Sequence, residues 1–191
     1  HTRCLSDWSS DVCSSDLPSV PYRSRNIVMR RLRFHFLEWG RPDAPTIVLL
    51  HGGHQSAHSW DLVSLHLAQK YRVFALDQRG HGDSEWVRDV AYSNHEMSVD
   101  AETFVAAMGL HKPLIMGHSM GGRNTMLLLK RNPSIARAAI FVDIGPEVSG
   151  RGREVIQGFV AANEEFDNLV PALHRRAHEN LFSRHVLTLS I

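Results

Sequence analysis

A serine with glycines on both sides stands where an apolar stretch ends, in Gly117-His-Ser-Met-Gly121. The pattern G-x-S-x-G is typical of a sharp turn that exposes a serine hydroxyl between a strand and a helix. We predict a strand over residues 114–117, a helix from Met120, and a strained Ser119 between them, with small residues where the helix passes close to the strand. Ser119 is therefore the candidate nucleophile. The N–H of Met120, at the start of the helix, is a candidate donor to an oxyanion.

Two further glycine-containing loops follow apolar runs earlier in the chain. Thr46–Leu50 is a continuous apolar run with β-branched residues, as expected of a strand buried on both faces of a parallel sheet, and His51-Gly52-Gly53 follows it. Arg72–Leu76 is a second such run and leads into Asp77-Gln-Arg-Gly-His-Gly-Asp-Ser84. Residues 59–69, between the two runs, have the apolar spacing of a helix. This order predicts a βαβ unit.

The remaining elements are predicted from periodicity and from capping residues. Alternation from residue 26 to 36 indicates a pair of half-buried strands with a turn at residues 29–31. Residues 99–108 are predicted as a helix with Ser98 as its N-cap, and residues 85–96 as a polar surface loop. Asn132 and Pro133 close the helix that starts at Met120. Ala138–Val142 is predicted to be another buried strand.

The three loops resemble those of the α/β-hydrolase family in kind and in order. His51-Gly52-Gly53 would follow the third strand, Asp77 to Ser84 the fourth, and Gly117 to Gly121 the fifth, each at the strand end where open α/β sheets bind ligands. The resemblance covers about residues 22–181. It implies an α/β-hydrolase fold, with a mostly parallel sheet flanked by helices on both faces. We expect a core of the first six strands over residues 22–148 and the start of a helical cap over residues 149–191, truncated before the last strands.

The resemblance also implies a reaction and roles for particular residues. Ser119 would attack an ester or a related small acyl substrate, form an acyl-enzyme and be released by water, with no cofactor. The oxyanion donors would be the N–H groups of Met120 and, by position, Gly53. His51 in this family usually holds its loop rather than reacting. A serine instead of an aspartate at residue 119 argues against the dehalogenase and epoxide-hydrolase branches.

The general base and its carboxylate are harder to place. In the family the order is serine, then Asp or Glu, then His, and the last two usually follow the seventh and eighth strands, which this chain is not expected to reach. Asp143, after the sixth predicted strand, is a candidate acid, although a residue that caps local N–H groups is the favoured interpretation. None of the later histidines is a good candidate for the base; they are His174, His178 and His185. The alternative hypothesis is therefore a catalytically incomplete fragment that lacks the triad histidine and, as given, is poorly soluble and nearly inactive.

Composition limits the other function classes. The chain has 191 residues, is 43% hydrophobic and 21% charged, and carries a net charge of +1, which indicates one soluble domain without a field that would recruit nucleic acid or an anionic membrane. No apolar run approaches the ~20 residues that span a bilayer. The chain has 13 histidines, but the spacing of His51, His54 and His58 matches no zinc signature, so we predict no metal site.

The first residues of the chain do not resemble a folded domain. Residues 7–17 resemble a translated sequencing-library adaptor, and we expect residues 1–21 to be a non-native or disordered leader. Both cysteines, Cys4 and Cys13, lie in this leader. The domain that follows has none, which favours a reducing, cytoplasmic location.

Overall fold

A computed structural model of the chain describes residues 20–87 and 91–145, which form a six-stranded sheet in the order β1-β2-β4-β3-β5-β6. The strands are β1 (Tyr22–Met29), β2 (Leu32–Trp39), β3 (Thr46–Leu50), β4 (Arg72–Leu76), β5 (Leu114–His118) and β6 (Ala138–Val142). β2 runs antiparallel to β1 and β4, and all pairs from β4 to β6 are parallel. The predicted mostly parallel sheet is therefore confirmed, and its parallel strands end at one edge.

Three α-helices accompany the sheet in the described residues: α1 (Asp61–Leu67), α2 (Asn94–Ala107) and α3 (Met120–Arg131). A short 3-10 helix, Ala57–Trp60, precedes α1. None of the helices in this part of the chain is both long enough and apolar enough to cross a bilayer. The predicted helical cap over residues 149–191, like the leader except for residues 20 and 21, lies outside the described residues.

The sheet is covered on both faces, as the buried apolar runs require. On one face, α2 and α3 pack over a cluster that includes Phe34, Phe74 and Phe104. On the other face, Trp60 and the residues around α1 pack over a second cluster that includes Trp39 and Leu49. Because β3 and β4 contribute side chains to both clusters, their positions are fixed from two sides. The loops that follow these strands are therefore held on a rigid base.

The β1–β2 hairpin corrects one expectation about burial. The alternating pattern predicted half-buried strands, but β1 is mostly exposed and only its Met29 is buried, whereas six consecutive residues of β2 are buried because β2 lies between β1 and β4. The polar side chain of Glu38 is consequently inside the protein. It accepts hydrogen bonds from Arg25 and Arg72, at 2.8 Å each. Desolvation raises the pKa of Glu38, but these hydrogen bonds and the positive charges of Arg25 and Arg72 together outweigh it and leave the pKa below its ordinary value.

Two other predicted elements differ from the structure. Helix α2 begins at Asn94 rather than at residue 99, and its N-cap is Ser93, whose hydroxyl accepts the N–H of Glu96 at 3.2 Å. Ser98, the predicted cap, is buried within the helix. β6 has the predicted bounds but is not buried in the described part of the protein, since Ile140 is 39% and Phe141 41% exposed. Its apolar composition alone could not indicate that it lies at the edge of the described sheet.

Candidate active site

The turn between β5 and α3 holds Ser119 in a conformation that L-residues rarely adopt, with φ 48° and ψ −110°. Glycines on both sides allow the close approach of strand and helix. A Cβ on Gly117 would lie 2.5 Å from the carbonyl oxygen of Gly121, and a Cβ on Gly121 would lie 2.2 Å from the carbonyl oxygen of Leu50. The backbone therefore has the strained strand-to-helix geometry that the sequence pattern predicts. We call this turn, residues 117–121, the elbow.

Backbone hydrogen bonds fix the elbow to the strands on either side. Ser119 N–H donates to the carbonyl of Val142 at 3.1 Å, and Gly121 N–H donates to the carbonyl of His51 at 3.1 Å. Met120 is the first residue of α3, where no earlier helical turn supplies an acceptor for its N–H. Met120 N–H thus has the position of an oxyanion donor, and this role stays a prediction.

The loop after β3 starts at His51, which is fully buried. Its Nε2 accepts the N–H of Gln78 at 3.0 Å, so in the neutral ring Nδ1 carries the proton and donates to the carbonyl of Gly52 at 2.7 Å. Burial lowers the pKa of His51 from 6.5 to about 4, which keeps the ring neutral. With both ring nitrogens occupied, His51 holds the loop and is not arranged as a general base.

The two glycines after His51 have different surroundings. A Cβ on Gly52 would lie 2.7 Å from Nδ1 of His118, so the loop backbone is pressed against that ring. Gly53 is exposed, and among the described residues no atom lies within 4 Å of the place where its Cβ would be. This leaves open space beside Gly53 for a ligand. Its role as the second oxyanion donor stays a prediction.

Sequence reasoning missed a link between this loop and the elbow. The side-chain oxygen of Gln55 accepts the N–H of Gly52 at 2.9 Å and faces Nδ1 of His118 at 3.1 Å. The other ring nitrogen of His118, Nε2, lies 3.7 Å from a carboxylate oxygen of Asp143. The side chain of His118 is 26% exposed and lies among polar groups. No spacing rule connects Gln55 with His118, because they are 63 residues apart.

Asp143, the candidate acid, follows β6 in a left-handed conformation with φ 50°. Its side chain is 65% exposed and faces His118. Among the hydrogen bonds of the described residues, none is accepted by the Asp143 side chain from a backbone N–H, so the expected capping role is not observed there. The catalytic role of Asp143 stays a prediction.

A chain of side-chain amides, buried except for the half-buried Asn94, lies beneath the two loops. The side-chain N–H of Gln78 donates to the carbonyl of His51 at 2.7 Å, Asn124 donates to Gln78 at 2.6 Å, and Asn94 donates to Asn124 at 2.7 Å. The chain connects the loops after β3 and β4 with α3 and with the start of α2. It fixes the floor of the site without any charged group.

The loop after β4 is braced by acid side chains. Asp77 is buried and accepts the N–H groups of Ala57 at 2.6 Å and Asp83 at 3.0 Å, while its second oxygen also lies 2.7 Å from Nδ1 of His35. Arg79 binds Asp100 of α2 through two hydrogen bonds, at 2.5 and 2.7 Å. Both residues hold the loop in place.

The described part of the protein contains the candidate nucleophile and both oxyanion candidates but no histidine hydrogen-bonded to the hydroxyl of Ser119. The later histidines, His174, His178 and His185, lie outside it. Within the described residues, no three side chains of the kinds that bind metals come together.

Known proteins resemble this chain over the region that contains these loops. A family model for the alpha/beta hydrolase fold matches residues 45–189. An sn-1-specific diacylglycerol lipase of Mus musculus is 34% identical over 69% of this chain and 42% of its own length, and an esterase of Mycobacterium tuberculosis is 32% identical over 62% of this chain and 39% of its own. The crystal structure of an alpha/beta hydrolase from Novosphingobium aromaticivorans matches with a TM-score of 0.71 and 33% identity, over 77% of this chain and 53% of that one.

This chain spans about two fifths of the length of those two curated relatives. The family model nevertheless covers well over half of the chain. The sheet order, the strained serine and the loops at the ends of the parallel strands agree with that match. The chain belongs to the alpha/beta hydrolase fold family.

Proposed function

We propose that the protein containing this chain is a serine hydrolase that acts on a carboxylic ester or a related acyl compound. The observation that carries the proposal is the elbow, where Ser119 is held at φ 48° at the end of a parallel strand. A strained serine between a parallel strand and a helix is how this fold presents a nucleophile. The relatives named as a lipase and as an esterase support an ester as the substrate class.

The proposed reaction has two steps, each of which transfers the acyl group. In the first, the hydroxyl oxygen of Ser119 attacks the acyl carbonyl carbon, a base takes the hydroxyl proton, and the alcohol leaves with a proton. The charge that develops on the carbonyl oxygen is stabilised by the N–H groups of Met120 and Gly53. In the second, water attacks the acyl-enzyme and the carboxylic acid leaves. The base is a group outside the described residues.

The two proposed oxyanion donors lie in the described residues and do not depend on that base. Loss of the triad histidine lowers kcat by roughly 10⁶-fold in a well-studied serine hydrolase, because a serine hydroxyl alone is a weak nucleophile. We therefore propose, as the second candidate, that the 191-residue chain by itself binds acyl compounds but turns them over very slowly. The distinction is measurable by comparing this chain with the protein made from the complete reading frame.

The test is hydrolysis of p-nitrophenyl esters with acetyl, butyryl and octanoyl groups, together with labelling by a fluorophosphonate. We expect saturable hydrolysis by the complete protein and a single labelled peptide that contains Ser119. Ser119→Ala should abolish the labelling and lower kcat by about 10⁴-fold or more. Ser134→Ala is the matched control, since Ser134 is exposed in the turn after α3. Ester hydrolysis that survives Ser119→Ala would refute the proposal.

A further inference from the structure

Two hydrogen-bond donors meet at the side-chain oxygen of Gln55. The N–H of Gly52 donates to it at 2.9 Å, and Nδ1 of His118 lies 3.1 Å from it. A backbone N–H can only donate, so the Gln55 atom that faces it is the amide oxygen rather than the amide nitrogen. Because that oxygen has no hydrogen to give, Nδ1 of His118 carries the proton of the second hydrogen bond.

The His118 ring also limits the loop sterically. A Cβ on Gly52 would lie 2.7 Å from Nδ1 and 3.0 Å from Cε1 of the ring, so the loop backbone lies closer to the ring than any residue with a side chain would allow. The remaining nitrogen, Nε2, lies 3.7 Å from the carboxylate of Asp143. With one nitrogen bonded to Gln55 and the other facing Asp143, His118 is not arranged as a base for Ser119. Its Nδ1 side contacts the loop.

The loop that His118 touches carries the proposed second oxyanion donor. Gly53 is exposed, with no described atom near its Cβ position, and the next residue, His54, has a left-handed φ of 58°. An oxyanion donor is most effective when its position is fixed before the charge develops. The first proposed donor, Met120 N–H, belongs to the elbow, as His118 does. The Gln55–His118 bond therefore joins the two halves of the proposed oxyanion hole.

We propose that His118 and Gln55 are positioning residues that hold the Gly52–Gly53 backbone at the elbow. Nδ1–H of His118 and the N–H of Gly52 share one acceptor, and this shared acceptor sets the distance between the loop and the elbow. The kinetic consequence rests on the proposed function, whereas the hydrogen-bonded link itself does not.

Two matched pairs of variants test the link, made in the protein from the complete reading frame. His118→Asn keeps a donor where Nδ1 stands, and His118→Gln moves the amide to the position of Nε2. Gln55→Glu keeps an acceptor for both donors, and Gln55→Met removes it at similar size. His66→Ala, on the exposed side of α1, is the control for loss of a histidine.

The first measurement does not depend on activity. In ¹⁵N NMR spectra, His118 should show a protonated Nδ1, and amide hydrogen exchange should report on Gly52. We expect exchange at Gly52 to be about tenfold faster in Gln55→Met and His118→Gln, because a hydrogen bond of this kind contributes about 1.4 kcal/mol, which corresponds to a factor of ten. His118→Asn and Gln55→Glu should stay within about threefold of wild type, as should His66→Ala.

The second measurement is the split between kcat and KM for p-nitrophenyl acetate. Misplacing an oxyanion donor should lower kcat by roughly 10- to 100-fold in His118→Gln and Gln55→Met while KM changes by less than about threefold. The isosteric variants should recover most of kcat. Circular dichroism identifies any variant that is unfolded. If one variant of a residue is unfolded, the pair of variants at the other residue decides whether the link exists.

Separate results overturn the inference and the proposed function. Unchanged exchange at Gly52 in both His118→Gln and Gln55→Met overturns the link, and so does His118→Asn behaving like His118→Gln. A wild-type protein without Ser119-dependent turnover overturns the proposed function, and the exchange measurement alone then decides whether the link exists.

Discussion

Gly121→Ala places one methyl group against the backbone of the neighbouring strand. The new Cβ would lie 2.2 Å from the carbonyl oxygen of Leu50 and 2.7 Å from that of His51, where ordinary contact begins at 3.4 Å. Neither neighbour is the end of a flexible side chain. The 1.2 Å shortfall to Leu50 must therefore be met by moving β3 away from α3, which would also break the hydrogen bond from Gly121 N–H to His51.

The size of the effect follows from two opposing contributions. Overpacking of this kind costs typically 1–3 kcal/mol, and a clash with two backbone carbonyl groups lies at the upper end, about 3 kcal/mol. Alanine is favoured over glycine within a helix by about 1 kcal/mol, which offsets part of the cost. The free energy of unfolding should fall by about 2 kcal/mol. With a urea m-value of ~2 kcal/mol/M, the midpoint would fall by about 1 M.

Gly53→Ala is the matched control for this measurement of stability. Gly53 has open space at its Cβ position and no left-handed φ, so alanine fits without strain. We expect its urea midpoint, followed by circular dichroism, to equal or slightly exceed that of wild type, since alanine restricts the unfolded chain. A midpoint for Gly121→Ala within about 0.2 M of that for Gly53→Ala would refute the steric reasoning, at the same m-value of ~2 kcal/mol/M.

Three further predictions concern the buried groups around the site. The pKa of His51 is about 4 in the folded protein and 6.5 in the reference state, so between these pH values the unfolded chain binds the additional proton. The free energy of unfolding should therefore be at its full value above pH 6.5 and fall by about 3 kcal/mol as the pH falls to 4. In urea titrations His51→Gln should flatten this slope between pH 5 and 6.5, and an unchanged slope would contradict the assignment. Arg79→Met leaves Asp100 paired with Arg30 only, so unfolding titrations should show a loss of about 3 kcal/mol, at the lower end for a broken buried pair; a loss under about 1 kcal/mol would argue against burial of the charge. In Asp77→Asn, either orientation of the amide turns its NH₂ group toward a backbone N–H, that of Ala57 or that of Asp83. The same titrations should show a loss of about 2–4 kcal/mol in the free energy of unfolding. Stability equal to that of wild type would mean that the loop rearranges.

The parts of the fold that were predictable are those with local boundaries. β3, β4, β6 and α3 have the bounds that their apolar runs and flanking Gly, Pro or Asn residues indicated. The start of α2 was wrong because its first turn is polar and lacks the apolar periodicity, although Ser93 is an ordinary cap. Burial of β2 was wrong because it depends on which strands lie on each side, and strand order is a property of the whole sheet.

The same distinction holds within the site. The strain at Ser119 and the small residues at 117 and 121 follow from a five-residue pattern, because the turn and its clashes are local. The Gln55–His118 bond and the buried chain from His51 to Asn94 join residues from different loops. These contacts exist because β3 pairs with both β4 and β5, which brings their loops to one edge. No pattern in the sequence specifies them.

Backbone strain shows why this edge of the sheet is suited to a reactive group. His54, Ser119 and Asp143 have positive φ, and they follow β3, β5 and β6 respectively. Such conformations cost on the order of 1 kcal/mol each and persist only where the surroundings fix them. At this edge the elbow amides bond to Val142 and His51, and buried amides fix the floor. The parallel strands therefore supply the rigidity, and the strained loops bring the candidate nucleophile to the edge of the sheet where the proposed acyl substrate would bind.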